Sequence, residues 1–134
     1  MTCSAILRAG AATVLLVLVA CGSGTPKLVP VRGKVFYQGA PLHGGSIVFT
    51  PDAERGGSGP LAHAEIQADG SYTLRTDHSP GAVPGWHRVS VMAVQAEGAR
   101  HRLLLPRRYS DPEMSGLRHQ VKPDRANTID IHLE

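Results

Sequence analysis

Four arginines fall within nine positions, Arg100, Arg102, Arg107 and Arg108, on either side of the apolar tripeptide Leu103-Leu104-Leu105. Guanidinium groups bordering an apolar run can dock an anionic partner or the headgroup layer of a membrane. Tyr109 follows directly and Trp86 lies upstream, so these two are the aromatic candidates for stacking on a sugar ring. The competing reading packs Leu103 to Leu105 on an edge of the fold and leaves the arginines in solvent, as charge runs usually are. Nucleic acid is disfavoured, because no array of aromatic residues accompanies the arginines to stack on bases.

Seven histidines are the candidates for metal or acid/base chemistry: His43, His63, His78, His87, His101, His119 and His132. No pair has the close helical spacing of a zinc motif. His63-Ala64-Glu65 matches the first half of a deaminase signature, but the Pro-Cys-x-x-Cys half is missing. On one strand His63 and Glu65 point the same way, which makes them a surface pair. Gly56-Gly57-Ser58-Gly59-Pro60 lacks the closing glycine of a nucleophile elbow and reads as a flexible loop. Asp69-Gly70-Ser71 lacks the further acidic positions of a calcium loop and reads as a turn. No catalytic residue, metal or cofactor is expected.

The elements that position these residues are short strands. The chain has 134 residues, 42% of them hydrophobic and 19% charged, which argues against global disorder. Two cysteines exclude a disulfide-stapled scaffold, and 15 glycines and 10 prolines imply many turns. From Val29 onward apolar residues recur with a period of two. The alternation predicts strands over 31–37, 46–50, 62–67, 72–76, 86–94, 117–122 and 127–133. Val89, Val91 and Ala93 point inward on the fifth, and His87 and His119 fall on core-facing positions. Ala68-Asp69-Gly70-Ser71 predicts a hairpin with a type I′ turn. Residues 52–60 and 97–111 read as loops, and no stretch after Ala20 predicts a helix. Seven short strands with Gly/Pro turns imply an all-β, antiparallel, Ig-like β-sandwich of a single domain, residues 31–134.

Residues 1–20 read as an export signal. Arg8 precedes an uncharged apolar run from Ala9 to Ala20, too short for the ~20 residues of a membrane-spanning helix. Leu18-Val19-Ala20-Cys21 resembles the bacterial lipobox. The resemblance implies cleavage before Cys21, lipid on its sulfur, and anchorage of the chain to a membrane of the cell envelope, facing the periplasm or exterior. Gly22, where related lipoproteins often carry an aspartate for inner-membrane retention, points to the outer membrane. Cys3 leaves with the signal, so no disulfide is expected. Residues 21–30 read as a flexible tether with a reach of ~17 Å.

Gly33-Lys34-Val35, then Gly39 to Gly45 before Ile47-Val48-Phe49, resembles the opening of carboxypeptidase regulatory-like, transthyretin-type sandwich domains. Asp69-Gly70-Ser71-Tyr72-Thr73-Leu74 and Pro84-Gly85-Trp86-His87-Arg88-Val89-Ser90-Val91 match two further stretches of that pattern. The segment from Tyr109-Ser110-Asp111-Pro112 to Leu117, with Asn127-Thr128-Ile129-Asp130, resembles a set of short bacterial lipoproteins carrying such a domain. His87 departs from the pattern, which favours an aromatic residue; Trp86 beside it is expected to take over the packing. The resemblance implies a non-enzymatic interaction or structural module; an envelope protein is the expected partner, with a glycan or other polyanion as the alternative. Transthyretin-like folds include a ureide hydrolase, but its Tyr-Arg-Gly-Ser ending is absent from Ile131-His132-Leu133-Glu134.

Overall fold

The computed structural model describes residues 27–134. The expected signal, Cys21 and residues 22–26 of the expected tether lie outside the described residues. The chain is all-β. Its strands are β1 (Val31–Tyr37), β2 (Ala40–Pro41), β3 (Ser46–Pro51), β4 (Ala62–Glu65), β5 (Ser71–Thr73), β6 (Arg75–Thr76) and β7 (Ser79–Pro80). They continue as β8 (Gly85–Met92), β9 (Val94–Glu97), β10 (Arg100–Leu103), β11 (Arg118–Val121), β12 (Asn127–Thr128) and β13 (Ile131–Leu133). Two short 3-10 helices, Ala53–Arg55 and Arg107–Ser110, interrupt the strands. Among the described residues no helix is long and apolar enough to cross a membrane.

One sheet runs β11-β8-β3-β4-β6-β7 and is antiparallel throughout. The other is built on β1, which pairs antiparallel with β2 and β5 and parallel with β12 and β13. The inner faces meet in one core. Ile47, Phe49, Val89, Val91 and Val121 come from the first sheet, and Val31, Val35, Tyr72, Ile131 and Leu133 from the second. The rings of Phe49 and Tyr72 lie 6.2 Å apart across the interface. This arrangement is consistent with a β-sandwich, because period-two strands bury every second side chain against a facing sheet.

Each expected strand has a counterpart, but several are divided. The expected strand 72–76 changes sheets: β5 pairs with β1, and β6 pairs with β4 at His63 and Arg75. Leu74, fully buried, sits at the crossing. Tyr72, Leu74 and Thr76 are all buried as the alternation predicts. The expected strand 127–133 breaks between β12 and β13. There the Ile129 amide donates to the Arg32 carbonyl (2.8 Å), and the Asp130 carboxylate accepts from the Lys34 amide (3.0 Å). The Ile129 carbonyl rests directly on Gly33, where a Cβ would come within 1.9 Å of it. Tyr72 seals the junction by donating its hydroxyl to the same carbonyl.

Three local expectations need correction. The turn at Asp69-Gly70 is not type I′, which needs positive φ at both central residues. Of the pair only Gly70 has positive φ (86°), and Gly70 N–H donates back to the Gln67 carbonyl. The loop is therefore the longer kind, closed by a left-handed glycine, with the Asp69 carboxylate accepting from both the amide and the hydroxyl of Ser71. The tether ends sooner than residue 30, since Val29 is buried and exchanges both backbone hydrogen bonds with Ala82. Residues 97–111 are not one loop, because β9 and β10 form a hairpin that reaches into them.

Candidate functional site

The β9–β10 hairpin is exposed along its whole length and carries two of the four arginines. Its two-residue loop has Gly98 at φ 61° followed by Ala99 at ordinary φ, the pattern of a type II′ turn, which matches strand twist. Cross-strand partners are Val94 with Leu103, Gln95 with Arg102, Ala96 with His101, and Glu97 with Arg100. Opposed residues share a face, so the hairpin is two-sided. Val94, Ala96, His101 and Leu103 form one face; Gln95, Glu97, Arg100 and Arg102 form the other. All eight are exposed. Arg102 reaches Glu97 at 3.7 Å, but both side chains are solvated and the pair contributes little.

At the hairpin base the Leu104 amide donates to the Ala93 carbonyl. Met92, Val94, Leu103 and Leu104, each about 40–50% exposed, cluster there along the chain. Val94 and Leu104 also line a shallow groove of about 370 Å³ with Tyr37, Pro41, Leu42 and Ala93. Leu105 is buried, so only the last residue of the expected apolar tripeptide joins the core.

The hairpin and the amino-terminal end of the domain lie at opposite ends of the fold. Val31, at the start of β1, pairs with Asn127, while Tyr37, at its far end, lines the groove beneath the hairpin. Six residues of extended strand separate the two by ~20 Å. The chain preceding residue 27 therefore attaches at the end away from Arg100 and Arg102.

The other expected site residues are dispersed. Tyr109 is buried, so it offers no stacking surface. Its hydroxyl accepts from Arg108 Nη2 (2.9 Å) and the Glu134 amide (3.0 Å) and donates to the Glu134 carbonyl (3.1 Å). Arg108 lies over the Tyr109 ring at 4.8 Å, which gives this arginine a structural contact. Arg107 stays exposed on the same 3-10 helix. Trp86 sits six residues before Met92 on β8, ~20 Å along the strand from the hairpin base. One face of its ring is covered by the Arg55 guanidinium at 4.7 Å.

Beside Trp86 lies an ion cluster that the strand pattern does not reveal. Residues 52–60 were expected to be a mobile loop, but Asp52 is 2% exposed and caps the first 3-10 helix. Arg88 Nε approaches its Oδ1 at 3.2 Å, and Arg55 Nε and Arg118 Nε approach its Oδ2 at 3.9 Å. Arg88 also reaches Glu54 at 2.8 Å. Arg88 and Arg118 are cross-strand partners, which is why both point at one carboxylate. These contacts are ionic more than directional, since Asp52 Oδ2 and Arg88 Nε lack a well-aligned hydrogen bond. A cleft of about 250 Å³ opens here, lined by Thr50, Glu54, Arg88 and Glu113 among others. The local signal was Asp52 ahead of Ala53-Glu54-Arg55, a helix-capping residue before a helix former.

The histidines divide by burial. His63 and Glu65 are exposed on one face, as the alternation predicts. His132 stacks on Phe36 at 5.0 Å, and His43 Nδ1 donates to the Ala68 carbonyl at 2.7 Å. His87 is the buried one, with its ring 5.9 Å from that of Phe49. It fills the aromatic position itself and does not leave the packing to Trp86, which is only half-buried. Its Nδ1–H donates to the Gly85 carbonyl (3.0 Å), and its Nε2 has no partner. Among the described residues no three His, Cys, Asp or Glu side chains gather as a metal cage.

Burial lowers the pKa of His87, against an opposing contribution from the Gly85 hydrogen bond, and burial also lowers that of His119. The unfolded chain then binds more protons than the folded one below about pH 6.5, the ordinary histidine value. Stability is therefore full above that pH and falls as the solution is acidified. Urea midpoints of the chain at pH 7.5 and 5.5 test this. His87→Phe, which keeps the contact with Phe49, is expected to reduce the difference between them.

The chain matches no protein-family model and no curated protein. Among solved structures it is similar to the dioxygenase domain of a dioxygenase–carbohydrate-binding protein fusion from the cellulolytic bacterium Streptomyces sp. SirexAA-E. The identity is 27%, the TM-score 0.39, and the match covers 84% of this chain and 83% of that one. No family follows from a likeness that shallow.

Proposed function

We propose that the chain is a lipid-anchored, non-catalytic module of the bacterial cell envelope, with a transthyretin-like seven-stranded core, that holds a protein partner on its β9–β10 hairpin. The carrying observation is the hairpin itself, two-sided, wholly exposed and bordered by exposed apolar residues at the end of the sandwich away from Val31. Contiguous exposed apolar surface with a polar rim is the usual character of an interaction site. Lipid on Cys21 holds the opposite end near the bilayer, so the hairpin is presented outward. Val94 and Leu103 supply the apolar contact on one face, and Arg100 and Arg102 on the other select a partner whose acidic groups reach around the hairpin. A glycan platform is less well supported, because Arg55 covers a face of Trp86 and Tyr109 is buried.

The test is crosslinking in intact envelopes with a photoreactive residue in place of Gln95. The adduct is expected to disappear when Val94 and Leu103 are both changed to Ser, and to fall at least tenfold in Arg100→Glu/Arg102→Glu. It persists in Trp86→Ala. The thermal midpoint of the hairpin variants stays within a few degrees of wild type, since substitutions at exposed positions change stability little. Unchanged adducts in the hairpin variants would overturn the reading. So would mass spectrometry showing an unmodified Cys21, or turnover of 5-hydroxyisourate by the purified chain.

A further inference from the structure

His87 and His119 occupy directly opposed positions on β8 and β11. Both lie on the inner face: the neighbours two residues away, Val89 and Val121, are fully buried. Opposed residues of an antiparallel pair have Cβ atoms ~4.5–5.5 Å apart, a separation from which two imidazoles can meet at one ion. Each imidazole nitrogen needs to come within ~2.0–2.1 Å of a zinc-sized cation.

The state of His87 suits ligation. Its Nδ1–H is held by the Gly85 carbonyl, which in the neutral ring leaves the lone pair on Nε2. Metal-binding histidines usually donate their other ring N–H to a carbonyl or carboxylate in this way, which fixes the tautomer and orientation. The Nε2 atom is buried and has no hydrogen-bond partner, a costly condition for a nitrogen that accepts well. His119 stands on β11, the end strand of its sheet, and is half-buried. As the more exposed of the two, His119 is the ring that would turn toward the ion, whereas His87 packs on Phe49.

We propose that His87 and His119 form a two-histidine site for a borderline divalent cation of the zinc, nickel or copper class. Imidazole ligands favour these ions over magnesium or calcium, which prefer oxygen. No third ligating side chain gathers among the described residues, so water or a ligand from outside completes the coordination. The ion bridges β8 to β11 and ties the end strand to the sheet. The site is independent of the hairpin and of lipid attachment.

The experiment is calorimetric titration of ZnCl2 into the full chain in nonionic detergent at pH 7.5, with wild type, His119→Ala, His87→Phe and His63→Ala. Wild type and His63→Ala are expected to bind one Zn²⁺ per chain with matching affinity. His119→Ala, altered only at a half-exposed position, is expected to bind at least tenfold more weakly while keeping its circular dichroism spectrum. His87→Phe behaves likewise if it folds. MgCl2 gives no binding isotherm. A second readout is the urea midpoint, which Zn²⁺ raises for wild type and leaves in place for His119→Ala. Equal Zn²⁺ affinity in wild type and His119→Ala, or no Zn²⁺ binding by wild type below millimolar concentration, overturns the proposal.

Discussion

Gly33→Ala is expected to destabilise the domain by about 3 kcal/mol or more, beyond the usual cost of one added methyl in a tight site. The added Cβ would lie 1.9 Å from the Ile129 carbonyl oxygen and 2.6 Å from its carbon, and backbone cannot rotate out of the way. The Tyr72 ring stands 3.1 Å from the same position, so the space beside the carbonyl is filled as well. Relief requires separating β1 from β12 and β13, which breaks the Ile129-to-Arg32 hydrogen bond and the Tyr72 hydroxyl contact. For a domain of this size the thermal midpoint falls by roughly 10–20 °C. Differential scanning calorimetry measures it, with Thr73→Ala, an exposed position on β5, as the control. A midpoint within 2 °C of wild type, a tolerance of roughly 0.5 kcal/mol, would show that the contact relaxes freely.

Asp52→Ala carries the second large effect, about 2–3 kcal/mol, below the ~3–5 of a fully buried pair because Arg55 and Arg118 are nearly half exposed. The carboxylate is almost wholly inaccessible, and Arg88, 15% exposed, loses its buried counterion and keeps only the exposed Glu54. Arg55 and Arg118 are left facing each other and Arg88 with only Glu54 to offset them. The cap on the Glu54 amide goes as well, which adds about 1 kcal/mol. Asp52→Asn keeps an acceptor for that amide and is expected to fall between wild type and Asp52→Ala in urea denaturation. Limited trypsin digestion supplies a second measure: cleavage after Arg55 accelerates in both variants as the 3-10 helix frees itself. If Asp52→Ala unfolds at the wild-type urea concentration, the cluster is only surface decoration.

Both residues illustrate how far periodicity reaches. Gly33 fits the alternation of β1 as an unremarkable small residue, and nothing adjacent to it along the chain marks it as critical. Its importance comes from Ile129, almost a hundred residues later, whose carbonyl approaches through a parallel pairing that no local pattern encodes. Asp52 read as the first residue of a mobile loop because it follows a proline and precedes glycines. Its burial depends on Arg88 and Arg118 being neighbours on two strands. The β9–β10 hairpin was legible in principle, since Gly98-Ala99 separates two four-residue alternating runs. It was read as loop because the runs are polar and short.

The candidate site divides the same way. Arg100 and Arg102 stand where the basic cluster suggested, on an exposed element. Arg108 and Tyr109 turn inward on each other and on Glu134, so four nearby arginines do not make one surface. Trp86 belongs to the other end of β8.

Alternation was enough to establish the all-β character, the buried face of the seven expected strands, and inward positions for His87 and His119, because a strand's side-chain period is a local property. Which strands share a sheet, where a strand changes sheets, and which charges meet were decided only in three dimensions. Those outcomes rest on contacts between residues far apart in the chain, whose closeness depends on register and packing and leaves no periodic trace.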